Sequence, residues 1–159
     1  MQRGKNTVAI LKRQKCWPLR KKWMEDLMQH GLQRAGFRRA ELSVLLTDNQ
    51  EIKKLNAQYR NQNNATDCLS FPMQGTFTPF LKENRRDALV LGDIVIAIPF
   101  ARREAVRMGL SFKKEMAWLL VHSLLHLLGF DHETVRQAKE MRRLEKEYLC
   151  DFKERHLYD

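Results

Sequence analysis

The segment from Ser111 to Gly129 constrains the fold more than any other part of the sequence. Ser111 is a typical helix N-cap, and a strongly apolar stretch follows it as far as Leu128. Gly129 is typical of the residue that ends a helix. The pattern predicts one long apolar helix, and no apolar run in the chain reaches the roughly 20 residues that span a bilayer.

Alternation and short apolar runs predict four strands elsewhere in the chain. They are Val8–Leu11, Leu42–Leu46, Cys68–Phe71 and Leu89–Ile98, with Gly92 as a candidate bulge. Helical spacing predicts a helix around Leu19–Met28, weakened at Gly31, and capping boxes at Asp48/Glu51 and Thr134/Gln137 predict two more. Pro99 opens a further helix that ends at Gly109. Residues 73–88 are expected to form a surface loop.

These elements predict an α+β fold: a small, about four-stranded mixed sheet covered by about five helices. At 159 residues the chain is long enough to bury a core without disulfide support, and we interpret residues 1–159 as a single domain. We expect Trp17, Trp23 and Trp118 to lie on apolar faces in the core rather than to stack on bases.

The positive charge of the chain is concentrated near its N-terminus. The formal charge is +10, and residues 1–39 account for +9 of it. Such a field favours polyanions, because cationic side chains that neutralise phosphates release counterions. The alternative is a solvated face of a first helix with a basic tail.

The cysteines and the N-terminus predict a cytoplasmic protein. Cys16, Cys68 and Cys150 have no paired spacing, so we expect three free, largely buried thiols in a reducing compartment. The only early apolar stretch, Val8–Leu11, is too short for a signal peptide.

Three histidines surround the end of the apolar helix. His122 and His126 are four residues apart, so both lie on one helix face and can chelate one ion. Gly129 permits a turn that brings His132 back against them. The spacing H-x-x-x-H-x-x-G-x-x-H is the zinc-binding pattern of metzincin peptidases, and three imidazoles leave a fourth position open for catalysis. We predict one Zn²⁺ per chain. The alternative is a set of hydrogen-bonded core residues, which is the usual role of a lone histidine on an apolar helix.

Ser123 argues against a peptidase. Peptidases of this pattern carry a glutamate after the first histidine, where it acts as the general base. The hydroxyl of Ser123 has no useful basicity near neutral pH. A metal ion could still activate water and polarise a phosphoryl oxygen.

The segment His122–His132 resembles the signature of the YbeY family of bacterial endoribonucleases, also called rRNA maturation factors. Leu55–Arg60, Thr66–Pro72 and Leu91–Ile96 are similar to two further motifs of that family, and the match covers roughly residues 42–150. Cys68 and Ala65 depart from it, where Val and Pro are common.

The resemblance implies an α+β fold with the metal at the end of a groove. It also implies cleavage of single-stranded RNA, maturation of the 3′ end of the small-subunit ribosomal RNA, and ribosome quality control. By the same match, Arg60 corresponds to a functionally important arginine, and we expect its guanidinium to hold the scissile phosphate. Its alternative role is a helix-end cation.

Further roles are predicted for two acidic residues, and two other functions compete. Asp131 and Asp93 are candidates for supporting the metal ligands, since ligating histidines usually donate their second N–H to a carboxylate or carbonyl. The competing functions are a ribosome assembly factor with a chiefly structural metal and, disfavoured by Ser123, a metallopeptidase. The expected partners are single-stranded RNA, ribosomal RNA and ribosomal subunits, without a membrane; the sequence gives no oligomeric state.

Overall fold

The computed structural model describes residues 5–13, 17, 19–73 and 89–156. The strands in these ranges are β1 (Thr7–Lys12), β2 (Ala40–Thr47), β3 (Cys68–Pro72) and β4 (Leu89–Ala97). The helices in them are α1 (Lys21–Arg34), α2 (Asn49–Arg60), α3 (Ile98–Met108), α4 (Phe112–Leu127) and α5 (Val135–His156). The predicted α+β class, with a small mixed sheet and five helices, is confirmed.

The four strands form one sheet in the order β1-β2-β4-β3. β1, β2 and β4 are parallel, with Val8 opposite Leu42 and Val44 opposite Ile94. β3 runs antiparallel along the edge of β4. The parallel strands are joined by crossovers that carry helices, as parallel pairs require.

Helices cover both faces of the sheet. Alternate residues of a strand point to opposite faces, and β4 shows this clearly. Ile94 and Ile96 belong to the main core with α1, α4 and α5, whereas Val95 and Ala97 pack with Ile52 of α2. The metal-ligating candidates lie on the α4 side of the sheet, and α2 lies on the other.

Gly92 forms the predicted bulge. The register between β2 and β4 shifts so that Glu41 pairs with Val90 and Leu42 with Gly92. Gly92 has a φ of +141°, and a Cβ at this position would lie 2.1 Å from the backbone oxygen of Phe71. Only glycine allows β3 to approach β4 this closely.

Gly31 does not weaken α1 as the sequence suggested; the helix continues to Arg34. A Cβ at Gly31 would lie 2.6 Å from the Cδ2 atom of Leu124. The missing side chain therefore allows α1 and α4 to pack closely, and that packing outweighs the low helix propensity of glycine.

The remaining expectations have mixed outcomes. Trp17 is buried, and Trp23 and Trp118 pack partly buried against the same core, as predicted. Cys68 and Cys150 are free thiols, but Cys150 is exposed on the outer side of α5 rather than buried. Cys16 and residues 74–88 lie outside the described residues. Within the described ranges, no helix combines the length and the apolar character needed to cross a bilayer.

Candidate metal centre

The three histidine rings lie together at the C-terminal end of α4. One ring nitrogen from each of His122, His126 and His132 can be chosen so that all three lie within 4.8 Å of one another. The Nε2 atoms of His122 and His126 are 3.1 Å apart. The centroid of the His132 ring is 5.6 Å from that of His122 and 5.1 Å from that of His126. The predicted convergence is therefore present, and the group could hold a metal ion.

Local sequence signals build the turn that brings in His132. The N–H of Gly129 donates to the carbonyl of His126, and the N–H of Phe130 donates to that of Leu125. These two bonds, with Gly129 at a φ of +92°, make a Schellman motif. A Cβ at Gly129 would meet nothing within 4 Å, so the position requires glycine for its backbone conformation rather than for space.

The turn also leads directly into α5. The Oγ1 atom of Thr134 accepts a hydrogen bond from the N–H of Gln137, whose side-chain oxygen accepts one from the N–H of Thr134. This is the predicted capping box. The Oδ1 atom of Asp131 accepts from the N–H of His132 at 2.8 Å. Asp131 therefore braces the backbone of the turn and bonds no imidazole nitrogen.

The carboxylate that supports the histidines is Glu145, which the sequence analysis missed. Its Oε1 atom lies 2.7 Å from Nδ1 of His122, and its Oε2 atom accepts from Nε1 of Trp118 at 3.0 Å. Trp118 also stacks on the His122 ring, with centroids 4.8 Å apart. Because an ionised carboxylate can only accept, Nδ1 of His122 donates to Glu145, which leaves Nε2 as the nitrogen that can bind a metal.

Electrostatics favour the protonation states of Glu145 and His126 that a metal site needs. Burial alone would raise the pKa of Glu145, but its hydrogen bonds with His122 and Trp118 outweigh burial and lower it. Burial lowers the pKa of His126, and the neighbouring His122 and His132 lower it further. A neutral His126 and an ionised Glu145 are the forms that metal binding requires.

One side of the histidine group is open. His132 is exposed, whereas His122 and His126 are half-buried. Among the described residues, no fourth histidine, cysteine or carboxylate completes the group. A metal held there would have room for a further ligand from solvent or substrate.

Ser123 faces the sheet. It is fully buried, and its backbone oxygen accepts a hydrogen bond from the hydroxyl of Ser70 at 3.2 Å. Its own hydroxyl lies beside the Cys68 thiol, whose pKa is raised far above its ordinary value, chiefly by burial. Ser123 is thus a small packing residue between α4 and β3, and no proton acceptor stands where the peptidases have glutamate.

Arg60 is tied to the same region through β3. As the last residue of α2, it donates from Nη2 to the carbonyl of Ser70 at 2.8 Å. Ser70 in turn bonds Ser123, which follows His122 in sequence. The guanidinium is exposed and is therefore held next to the strand that contacts α4.

Asp93 lies on the opposite sheet face from the histidine group. It is exposed on β4 and accepts a hydrogen bond from the hydroxyl of Ser43. Both residues line a groove that also contains Tyr59, Phe71 and Lys12. Asp93 therefore contributes to a groove surface and is hydrogen-bonded to no imidazole nitrogen.

The chain is similar to proteins of one family over nearly its whole length. Residues 10–153 match the model of the family described as endoribonuclease YbeY. The chain is 39% identical to "Endoribonuclease YbeY" of Aquifex aeolicus over 150 residues, which are 93% of each chain. It is 36% identical to the protein of the same name from Sulfurihydrogenibium over 130 residues, 82% of this chain and 81% of that one.

A solved structure has the same fold. The solution structure of TM1509 from Thermotoga maritima superposes with a TM-score of 0.59, at 23% identity, over 96% of both chains. At this identity the likeness supports the fold alone. Together with the family match and the sequence relatives, however, the assignment is clear, and the chain belongs to the YbeY endoribonuclease family.

Proposed function

We propose that this protein is a zinc-dependent endoribonuclease that cleaves single-stranded RNA. The observation that carries the proposal is the group of three imidazoles, open on one side and braced by Glu145, in a chain of an endoribonuclease family. The buried Ser123 in place of a peptidase glutamate argues against peptide hydrolysis.

The donor set fits Zn²⁺. Tetrahedral zinc with Zn–N bonds of about 2.0–2.1 Å places two ligand nitrogens roughly 3.3–3.4 Å apart. The Nε2 atoms of His122 and His126 are already 3.1 Å apart without a metal. Little movement of α4 is therefore needed to bind the ion.

The residues around the site have separable roles in the proposed reaction. When bound, Zn²⁺ supplies a Lewis acid that polarises a phosphoryl oxygen and makes a nearby water more acidic. His122, His126 and His132 hold it, and Glu145 keeps His122 in the correct tautomer. Arg60 is the candidate for binding the scissile phosphate, because its planar guanidinium matches phosphate geometry.

The groove on the other sheet face has features suited to a nucleic acid. It measures about 700 Å³, and its lining includes the cations Lys12, Arg13 and Lys21 together with the rings of Tyr59 and Phe71. Cations neutralise phosphates and aromatic rings stack on bases. This gives part of the N-terminal positive charge a role in RNA binding.

We also propose the biological setting. RNA cleavage at this site serves maturation of ribosomal RNA, including the 3′ end of the small-subunit RNA, and quality control of ribosomal subunits in the cytoplasm. Sequencing of small-subunit RNA 3′ ends in cells lacking the protein tests this. We expect extended 3′ ends that shorten when the wild-type gene, but not a His126→Ala gene, is restored.

The activity itself is tested with purified protein. We expect the zinc-loaded wild type to cleave an end-labelled single-stranded RNA, and we expect His126→Ala, checked for folding by circular dichroism, to be inactive. Metal analysis of both proteins by mass spectrometry should show about one zinc per wild-type chain and much less in the variant. Equal cleavage by the two proteins would reveal a contaminant and refute the proposal. Zinc-dependent folding with ribosome binding but no cleavage would instead support an assembly factor.

A further inference from the structure

Helix α5 carries a row of exposed cations along one flank. The row, called here the basic stripe, consists of Arg136, Lys139, Arg142 and Lys146. The four side chains border one shallow depression, together with Glu140 and Arg143. By the helical rise of about 1.5 Å per residue, the stripe is roughly 15 Å long.

The charge of the stripe is not cancelled by neighbouring acids. Both carboxylate oxygens of Glu140 bind Arg143, and an oxygen of Glu147 does so as well. Glu140 is near enough to attract Arg136, but its hydrogen bonds go to Arg143. In the part of the chain that the structure describes, no carboxylate lies within ion-pair distance of any of the four stripe residues.

The stripe begins close in sequence to the metal centre. Arg136 follows His132 by four residues and lies in the first turn of α5. Glu145, which contacts His122, lies on the same helix. At about 100° per residue around the helix from Glu145, Arg142 lies at roughly 60° and Lys146 at roughly 100°. Lys139 lies at roughly 120° and Arg136 at roughly 180°, so the stripe runs from the flank beside the site onto the solvent-facing side of α5.

The surroundings favour a phosphate chain over a lipid surface. A helix that lies on a membrane needs exposed apolar side chains beside its cations. Apart from Val135, which is exposed at the start of α5, the large apolar residues of the helix, including Met141, Tyr148 and Phe152, pack in or against the core. Both aromatic rings among them face inward, so the stripe offers charge without a stacking surface for bases.

We propose that the basic stripe binds the sugar–phosphate backbone of the RNA strand that continues past the metal centre. Lys and Arg contacts to phosphates position a strand without reading its sequence. The stripe would therefore hold the RNA against α5 and extend the binding surface beyond the histidine site, independently of base identity. This inference rests on the proposed endoribonuclease function.

The test measures the salt dependence of RNA binding. Lys139→Gln/Arg142→Gln is compared with Lys53→Gln/Lys54→Gln, which removes two exposed lysines from α2 on the other sheet face. All proteins also carry His126→Ala to prevent cleavage, and the probe is a fluorescent single-stranded RNA of about 20 nucleotides followed by anisotropy. Each lost phosphate contact should lower the slope of log K against log salt by about 0.7.

We expect the stripe variant to lose about 1.4 from that slope and to bind on the order of tenfold more weakly at 0.1 M salt. The α2 control should keep the parent slope. Equal slopes in stripe variant and parent, or equal losses in both variants, would overturn the inference. The inference would also be overturned if the stripe variant bound RNA like its parent but lost binding to phosphatidylserine vesicles.

Cleavage by the wild type, measured in parallel, separates the two proposals. RNA cleavage with an unchanged stripe slope would refute the stripe and leave the endoribonuclease proposal standing. A salt slope that depends on the stripe, without RNA cleavage by the wild type, would support the stripe and refute the endoribonuclease proposal.

Discussion

Replacing Glu145 by glutamine should weaken metal binding even though no metal ligand changes. The carboxylate is 7% exposed and accepts two hydrogen bonds, one on each oxygen, from His122 and Trp118. A glutamine offers one acceptor oxygen and one NH₂ donor group. With the His122 proton on Nδ1, the tautomer that leaves Nε2 free for a metal, one of the two ring N–H groups faces a donor whichever way the amide is turned.

The magnitude follows from the two contacts. A buried donor left without a partner costs about 1–3 kcal/mol. In the metal-free Glu145→Gln protein, His122 can avoid this cost by moving its proton to Nε2, so we expect a loss of unfolding free energy no larger than about 1–3 kcal/mol. Loss of the carboxylate also makes His122 less basic, and removing such a supporting group typically lowers metal affinity by about 10–100-fold. That decrease corresponds to roughly 1.4–2.8 kcal/mol of binding free energy.

Urea unfolding of the metal-free protein and zinc titration against a competing chelator measure the two effects separately. Glu140→Gln is the matched control, because Glu140 is exposed on the same helix and pairs only with Arg143 among the described residues. It should leave zinc affinity unchanged.

A Trp118→Phe background separates hydrogen bonding from charge. Without the Trp118 N–H, the glutamine can turn its oxygen to His122 and leave no donor facing another. The stability cost of Glu145→Gln should shrink in that background while the loss of zinc affinity persists. Wild-type zinc affinity in Glu145→Gln would show that the carboxylate does not support the site, and the reasoning would fail.

Three further predictions concern positions away from the ligand atoms. Gly92→Ala should cost about 2–6 kcal/mol of unfolding free energy, because strain at φ +141° and the clash with the Phe71 backbone each contribute about 1–3 kcal/mol. Gly109→Ala, with open space around it, should cost only about 1–2 kcal/mol in urea denaturation, and a similar loss for both would contradict this. Gly129→Ala should also cost about 1–2 kcal/mol of unfolding free energy. Unlike Gly109→Ala, it should lower zinc affinity, because it strains the turn that places His132. Equal zinc affinities of the two variants in chelator titrations would count against this role. Burial raises the pKa of Glu115, so its contribution to stability is greatest below the unfolded-state pKa and is lost as the pH rises through the folded-state pKa. Glu115→Gln should therefore stabilise the protein more at pH 7 than at pH 4, and a larger gain at pH 4 would reverse the argument.

Local signals explain why much of the fold could be predicted from the sequence. Ser111 caps α4 by accepting from the N–H of Lys114, and Gly129 ends the helix in a left-handed conformation. Both features involve residues within one helical turn of each other, so the sequence alone specifies them. The spacing of the histidines falls in the same category, since it requires only a helix and its terminating turn.

The missed features depend on contacts between distant segments. Glu145 lies 23 residues from His122, and on an apolar helix face a glutamate looks like an error in the hydrophobic pattern. A buried acid at such a position, between Met141 and Tyr148, was the signal that could have been used. Gly31 was misinterpreted for the same reason: its value lies in contact with Leu124, on a different helix. The position of β3 at an antiparallel edge is likewise a matter of long-range pairing.

The eleven residues from His122 to His132 contain every candidate ligand of the ion, whereas the groups suited to RNA come from β1, α1, α2, β3 and α5. The candidate ligands are therefore confined to one short stretch, whereas Glu145 and Trp118, which support His122, lie outside it. The groups suited to RNA are instead distributed over the whole architecture and are brought together by the packing of the sheet and helices. Variation in the outlying segments can retarget such an enzyme to a new RNA while its chemistry stays untouched.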